Sequence, residues 1–404
     1  MLIVVYTFNF IDRQIVGILA GPIKAELGLT DTQLGLMGGL AFALFYTALG
    51  VPIGLLADRR SRTWIMTAAL ALWSGFTALC GVAQNFWQLF LARMGVGVGE
   101  AGGVAPAYSL IADYFPPNER ARALAVYSFG IPLGSAAGIF LGGWIASTID
   151  WRTAFIAVGI AGLALAPLFR LAVREPARGR FDPPRPETKA PPIGAVLRTL
   201  AAKPSFWLLA FGAGSCSILG YGLIFWLPSF FARTYGLELI EVSQFYGSII
   251  LIGGIVGVWG GGWLGDRLGQ ASRAAYARIP AIAFLIAAPC YAAGVMSDWL
   301  PLTYALFLIP QALGLMWLGP VLSAVQHVAP ATMRTTASAI FLFINNLIGI
   351  GLGTVLFGLI SDRLAPQFGD QSLRYSILIG LSFYLLSATL FLLASRRLDR
   401  DWER

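Results

Sequence analysis

Apolar stretches of about 20 residues, the length that crosses a bilayer, recur along almost the whole chain with only short polar or basic connections between them. No other feature restricts the fold so tightly. Hydrophobic residues make up 57% and charged residues 12% of the 404 positions, more apolar surface than one globular core can enclose. A soluble enzyme with a single anchor is excluded, and a polytopic membrane protein is expected.

Hydropathy read against turn signals places spans at roughly 1 to 22, 32 to 57, 64 to 83, 86 to 114, 120 to 147 and 152 to 172. A second set follows at roughly 204 to 232, 241 to 265, 275 to 296, 300 to 328, 335 to 361 and 373 to 395. The expected fold class is all-α integral membrane, with 12 transmembrane helices as two six-helix bundles. Residues 1–172 form the N-terminal bundle and 204–404 the C-terminal bundle with a short tail. Between them, 173–203 turns to Pro and basic residues, including Pro183, Pro184, Arg185, Pro186, Pro191 and Pro192, as in a linker with little reason to fold alone. The first span begins at Met1 with no polar flank, as expected if a preceding segment is absent from this sequence, and no cleavable signal is evident.

Residue counts remove further classes. A phosphate-binding Walker loop needs a Gly-Lys pair, whereas Lys24, Lys189 and Lys203 follow Ile, Thr and Ala. His327 is the only histidine, and Cys80, Cys216 and Cys290 sit singly in apolar runs, so no metal, cofactor or disulfide framework is expected. The net charge of +8 arises from residues that punctuate the spans instead of forming a basic face, which argues against nucleic acid as a partner.

Those charges set orientation. When Lys and Arg are allocated to alternate loops, Lys24, Arg152, Arg233, Arg363 and Arg374 fall on one side and Arg13 and Arg93 within spans. The remainder lie with the 57–64 loop, the linker and the C-terminus. By the positive-inside rule that side is cytoplasmic, with both termini, in the cell inner (plasma) membrane. The chain is read as a multi-pass monomer whose partners are the lipid bilayer and a small substrate.

The halves echo each other. Gly54-Leu55-Leu56-Ala57-Asp58-Arg59 after span 2 is matched by Gly262-Trp263-Leu264-Gly265-Asp266-Arg267 after span 8, and Pro106, Ser109, Pro116, Arg120 and Ala123 are spaced as Pro320, Ser323, Pro330, Arg334 and Ala337. Two matches at equivalent span ends argue for a parallel repeat of six-helix units, the arrangement in which substrate binds between halves near the midplane.

With these residues in view, the chain resembles the major facilitator superfamily over nearly its whole length. Gly54 through Arg62 match the signature G-x-L-A-D-R-x-x-R, the copy after span 8 matches it more weakly, and Arg93 through Gly99 are similar to the span-4 pattern R-x-x-x-G-x-G. Within the superfamily the likeness is to the spinster-like branch, carried by Asn9-Phe10-Ile11-Asp12-Arg13, by Gly99-Glu100-Ala101 with Ala105-Pro106, and by Ile131-Pro132-Leu133-Gly134-Ser135. The resemblance implies the major facilitator fold. Animal members of the branch are associated with movement of sphingosine 1-phosphate and lysophospholipids, and bacterial members look like proton-linked carriers whose substrate the resemblance does not fix. It also makes Asp58, Arg59 and Arg62, with Asp266 and Arg267, a conformation-sensing cytoplasmic gate, a layer that Asp113, Glu119, Arg120, Arg122 and Arg334 are placed to join.

Four ionisable residues lie inside spans: Asp12, Arg13, Arg93 and Glu100. Arg93 and Glu100 are two helical turns apart and share a face, and the four charges sum to zero. The bland reading makes them two ion pairs that tie span 1 to span 4. The functional reading weighs more, because each bilayer-centre charge costs at least ~2.5 kcal/mol and Leu or Gly would pack more cheaply. On that reading Asp12 and Glu100 take up and release a coupling proton, H+. Arg13 or Arg93 then alternates between these carboxylates and an anionic substrate group, which suits the guanidinium fork.

The second half carries no intramembrane charge. Its candidate cavity residues are Tyr221, Trp226, Tyr246, Gln311, Trp317, Asn345 and Asn346, a wall suited to an amphiphile's apolar part, although aromatics at helical spacing are often plain packing and Asn can simply tie helices together. In span 5, Gly130, Gly134, Gly138 and Gly142 form a smooth strip beside Pro132. The strip admits two readings, a hinge or sliding contact in gating and a static close packing; the glycine-rich span 4 run admits the same two. His327 reads as a solvated interface residue. The expected function is a proton-coupled secondary transporter of an amphiphilic, lipid-like anionic or zwitterionic substrate by alternating access. The alternatives are a multidrug or small-metabolite carrier of the same fold and an uncoupled lipid scramblase. Dispersed acids and one histidine assemble no enzyme site.

Overall fold

The structure, a computed structural model, describes residues 1–181, 192–269, 272–330 and 333–403, apart from the side chains at positions 51, 117, 118, 121, 125, 265, 266, 268, 269 and 335. Pro183 to Pro186 and Pro191 of the linker, and the Asp266 side chain, lie outside the described residues.

The first six passes begin with α1 (Leu2–Ile18) and α2 (Ala20–Leu27), which meet at a 51° bend. Pro22 lacks an N–H and crowds the carbonyl of Ile18, four residues earlier, so the break falls there. α3 (Asp31–Gly35) starts on a Thr30–Gln33 capping box and runs through a π-helical turn, Leu36–Leu40, into α4 (Ala41–Arg59). α5 (Arg62–Cys80) comes next, then α6 (Phe86–Glu100), capped by Asn85, and α7 (Val104–Tyr114). α8 (Pro117–Ser128) and α9 (Gly130–Thr148) make the fifth pass, and α10 (Trp151–Ala172), capped by Asp150, the sixth.

The linker contributes α11 (Ile193–Ala201). Beyond it come α12 (Pro204–Tyr235), α13 (Leu239–Gly269), α14 (Ala275–Met296), α15 (Leu300–Leu313), α16 (Leu318–Val328), α17 (Arg334–Phe368), α18 (Ser372–Gly380), α19 (Ser382–Ser395) and the terminal turn α20 (Leu398–Asp401). Among the described residues nine helical stretches are long and apolar enough to cross a membrane, or ten with the bent α1–α2 pair. One of these, the 60-residue stretch Thr336–Ser395, turns back at Gly369 and makes two passes, and the broken α6–α7 pair makes another. Twelve passes result.

Fourth and tenth passes break at matching places, α6 giving way to α7 across Ala101–Gly103 and α15 to α16 across Gly314–Trp317. The cause is the repeated proline: Pro106 and Pro320 crowd the carbonyls of Gly102 and Met316 and donate no helical bond there. The repeat persists below the break. Arg120 Nε donates to the carbonyl of Phe115 at 3.1 Å, and Arg334 Nε to that of Ala329 at 3.5 Å, the same five-residue reach in each half.

Two compact units emerge from the contacts, Met1–Glu187 with Ile224–Ser248, and Thr188–Leu223 with Ile249–Arg404. At 32 and 31 residues, α12 and α13 exceed what a crossing needs, and the end of one and the start of the other pack in the first unit. Within the first unit α1 lies on α9, α5 on α6 and α10, and α4 on α6. In the second, α14 lies on α15 and α19, and α17 on α18 and α16.

Candidate functional site

All four intramembrane charges meet in the core of the first unit. Arg13 Nε donates to Glu100 Oε2 at 2.7 Å, while Arg93 Nη1 stands 3.6 Å from Asp12 Oδ1. Neighbours on α1 thus cross over to two residues on α6. Thr77 of α5 donates its hydroxyl to Asp12 Oδ2 at 2.6 Å. The setting is buried: Asp12 and Arg93 are 1% exposed and Glu100 is fully buried. The network is also incomplete, since Asp12 Oδ1, Arg93 Nε and Nη1, and Glu100 Oε1 make no hydrogen bond among the described residues.

Aromatic rings close around the guanidiniums. Arg13 Cζ lies 4.7 Å from the Tyr46 ring centre, 4.8 Å from Phe42 and 5.2 Å from Phe10, and Arg93 Cζ lies 5.7 Å from the same Phe42 ring. Sequence reading missed Thr77, Phe42, Tyr46 and Phe10 as site residues; the only signal was the four-residue spacing of Phe42 and Tyr46, which apolar spans show routinely. Glycine in α6 makes the approach feasible, because a Cβ at Gly97 would stand 2.5 Å from the Phe42 carbonyl oxygen and one at Gly99 2.5 Å from the Trp73 nitrogen.

The expected neutral wall is divided. Trp226 and Tyr246 are wholly buried in the first unit, against Phe225 and Phe231 respectively. In the second unit Asn345 Oδ1 accepts from Ser217 at 2.8 Å and its amide reaches Asn346 at 3.4 Å, so the pair ties α17 to α12. Gln311 accepts from Tyr291 at 3.4 Å, Trp317 lies beside Phe341, and Tyr221 packs near Gly353. The strip Gly130, Gly134, Gly138 and Gly142, with Pro132, faces α1 at backbone distance, as a Cβ at Gly134 would lie 2.3 Å from the Thr7 oxygen.

At the end of the first unit that carries the α4–α5 loop, Arg62 is 1% exposed and bonds Glu175 at 2.7 Å, Ser109 at 2.8 Å and Asp113. Asp58 and Arg59 are exposed. The chain after α10 folds back across this layer. Arg178 donates to the carbonyls of Ala57, Asp58 and Arg60 at 2.5–2.7 Å, capping α4. Glu175 accepts the Thr63 N–H at 2.9 Å at the start of α5. Burial would raise its carboxyl, but bonds from the Thr63 N–H, Arg62, Ser61 and the Thr63 hydroxyl outweigh that and hold it at about 2. In the other half Arg267 is exposed, 5.3 Å from the Trp263 ring.

His327 departs from expectation. It is half-buried, its Nδ1 is 2.9 Å from the Ser323 carbonyl oxygen, and its ring stacks on Trp402 at 4.6 Å. The tail is fastened further where Lys203 bonds Glu403 and where the Ser205 N–H donates to Asp401 at 2.9 Å. A polar residue at a span end reads as solvated until the tail that covers it is placed.

At the opposite end, Asp31 accepts from Lys24 at 2.6 Å and from both terminal nitrogens of Arg233. Nearby, Glu26 is held below the usual carboxylate range by bonds from Arg152 and then Trp151. Among the described residues no three His, Cys, Asp or Glu side chains gather as a metal site requires.

A family model described as Major Facilitator Superfamily matches residues 2–354. An MFS-type efflux pump of Mycolicibacterium smegmatis is 34% identical over 402 residues, 99% of this chain and 92% of that protein. Protein spinster homolog 1 of Homo sapiens is 30% identical, over 96% of this chain and 79% of that protein. Among solved structures, a bacterial homolog of the human lysosomal transporter Spinster, inward-facing and unoccupied, superposes with a TM-score of 0.89 at 31% identity, covering 100% of this chain and 97% of that one. Its inward-facing, occupied form gives a TM-score of 0.86 at 29% identity.

Proposed function

The chain is a transporter of the major facilitator superfamily, in its spinster-like branch, and from that premise we propose that it is a proton-coupled carrier of a lipid-like, anionic or zwitterionic amphiphile working by alternating access. One observation carries the reading: two buried, crossed ion pairs, each joining a residue of α1 to one of α6, in the core of a membrane-spanning unit. A proton arriving on Glu100 weakens its hold on Arg13, and one on Asp12 weakens its hold on Arg93. Either guanidinium then offers its donor fork to a phosphate or carboxylate, and deprotonation reverses the exchange. No covalent chemistry is asked of the protein.

The amphiphile is supported by the branch and by the apolar and aromatic residues around the charges. Alternating access is supported by similarity to inward-facing structures, one unoccupied and one occupied. An orientation with both termini cytoplasmic is supported by the distribution of Lys and Arg, and a monomer in the cell inner membrane is part of the same proposal. A second reading, efflux of small amphiphilic drugs or metabolites, is favoured by the relationship to the M. smegmatis efflux pump.

A transport panel in proteoliposomes tests both. Lysolipids, sphingoid phosphates and cationic dyes are offered with and without an imposed pH gradient. Uphill, gradient-dependent movement of a lipid phosphate supports the proposal, and movement of dyes alone moves the assignment to the efflux reading. Lipid equilibration indifferent to the gradient would identify a scramblase.

A further inference from the structure

One ring touches both halves of the charge network. Phe42 is 2% exposed, and its centre is 4.8 Å from the Arg13 guanidinium carbon and 5.7 Å from that of Arg93. Its neighbour one turn on, Tyr46, stacks beside it at 5.1 Å and 21° and is itself 4.7 Å from Arg13. Phe10, on α1, adds a third face at 5.2 Å. Two features of the backbone hold Phe42 there. The π-helical turn Leu36–Leu40 directly precedes α4 and shifts the register of its first residues, and Gly97 lets α6 approach the Phe42 carbonyl where any side chain would collide.

We propose that Phe42, assisted by Tyr46 and Phe10, is the positioning element of the coupling network, holding both guanidiniums by cation–π attraction so that each can release its carboxylate without leaving the site. The inference rests on the proton-coupled reading and specifies how it is built. Two like charges in a buried core repel, and two carboxylates that each lose their charge in turn cannot fix them alone. A π face competes with the neighbouring carboxylate for the guanidinium and draws it most strongly once that acid is protonated, the more so where water is excluded. The ring therefore supplies the part of the binding that survives proton uptake, and it shares each guanidinium with the carboxylate beside it. Arg13 and Arg93 are the charged groups facing both acids, which also face each other; Thr77 and Cys80 border Asp12, and Tyr6, Tyr46 and Tyr127 lie near Arg13.

Infrared titration of the full chain in liposomes tests this without a substrate. The protonated-carboxyl band is followed against pH and assigned by its loss in Glu100→Gln and Asp12→Asn. Phe42→Leu is expected to move the midpoint by about half a pH unit or more, about threefold in the proton-binding equilibrium, while Phe42→Tyr restores it. Tyr46→Leu against Tyr46→Phe repeats the comparison at a half-buried position, and decides the matter if Phe42→Leu does not fold. A wild-type band that titrates together with Leu variants that titrate unchanged would overturn the positioning role alone. A wild-type band that does not titrate at all between about pH 4 and pH 9 would overturn the proton-coupled reading, and the positioning role with it.

Discussion

Arg233 grips Asp31 with both terminal nitrogens, each 2.7 Å from a different carboxylate oxygen. Asp31 is the first residue of α3, where a helix N-terminus also favours its charge, and Lys24 adds a third donor. The pair fastens the far end of α12, and Phe225 two turns earlier lies over Gly38, where a Cβ would stand 2.2 Å from its ring. Asp31→Asn leaves the shape and removes the charge. It is expected to cost about 2 kcal/mol or more in stability and to raise hydrogen exchange in Ile224–Tyr235 selectively. Unchanged exchange there would show that ring packing alone holds this end of α12 in place.

Glu100→Gln and Asp12→Asn test the proton carriers. Each keeps the side-chain volume and denies the site a titratable oxygen, so pH-driven accumulation should fall at least about tenfold, equivalent to about 1.4 kcal/mol of lost coupling. Downhill exchange at symmetric pH should persist, because the guanidiniums remain. Accumulation at the wild-type level in both variants would remove the acids from the mechanism.

The quartet was legible in the sequence because ionisable residues inside apolar spans are rare enough to stand out singly. Its aromatic surround was not: Phe42 and Tyr46 look like any apolar face until α4 is set against α1 and α6. The same limit applies to Asp31 and Arg233, about 200 positions apart in loops and span ends, where charges are expected anyway. Pro106 and Pro320 were legible as an echo but not as the cause of the two broken passes, since proline within a span bends some helices and ends others. Position along the chain puts Trp226 and Tyr246 in the second half, whereas contacts assign Ile224–Ser248, the end of α12 and the start of α13, to the first unit.

Glu175 gives the fold back across the α4–α5 loop a defined pH dependence. Its carboxyl is held at about 2, below the ~4.3 of an unfolded chain. A depressed folded-state value contributes stability that is fully present above the unfolded value and is lost as pH falls from there towards the folded one. Thermal unfolding of the wild type should therefore weaken between about pH 5 and pH 2 by more than that of Glu175→Gln. At pH 7 the variant should melt lower by about 2 °C, a shift expected for a modest local loss in a chain of this size. Parallel pH curves for the two proteins would mean that the Thr63 and Arg62 bonds do not depend on the charge.

Glycine substitutions separate close approach from simple absence of a side chain. At Gly134 a Cβ would meet the Thr7 carbonyl oxygen at 2.3 Å and the Phe10 Cβ at 2.7 Å, and a backbone oxygen inside a helix cannot step aside. Gly134→Ala should push α9 from α1, destabilise the protein by about 1–3 kcal/mol and, through Phe10, disturb the rings around Arg13. At Gly75, in α5, nothing lies within 4 Å of the added carbon. Gly75→Ala should thus be neutral or stabilise by up to about 1 kcal/mol through helix propensity. Thermal unfolding of the two variants side by side decides the point. If Gly134→Ala behaves like Gly75→Ala, α9 moves freely against α1 and the glycine strip is a sliding surface; if it is destabilised as expected, the strip is a fixed contact that places α1, and with it Asp12 and Arg13.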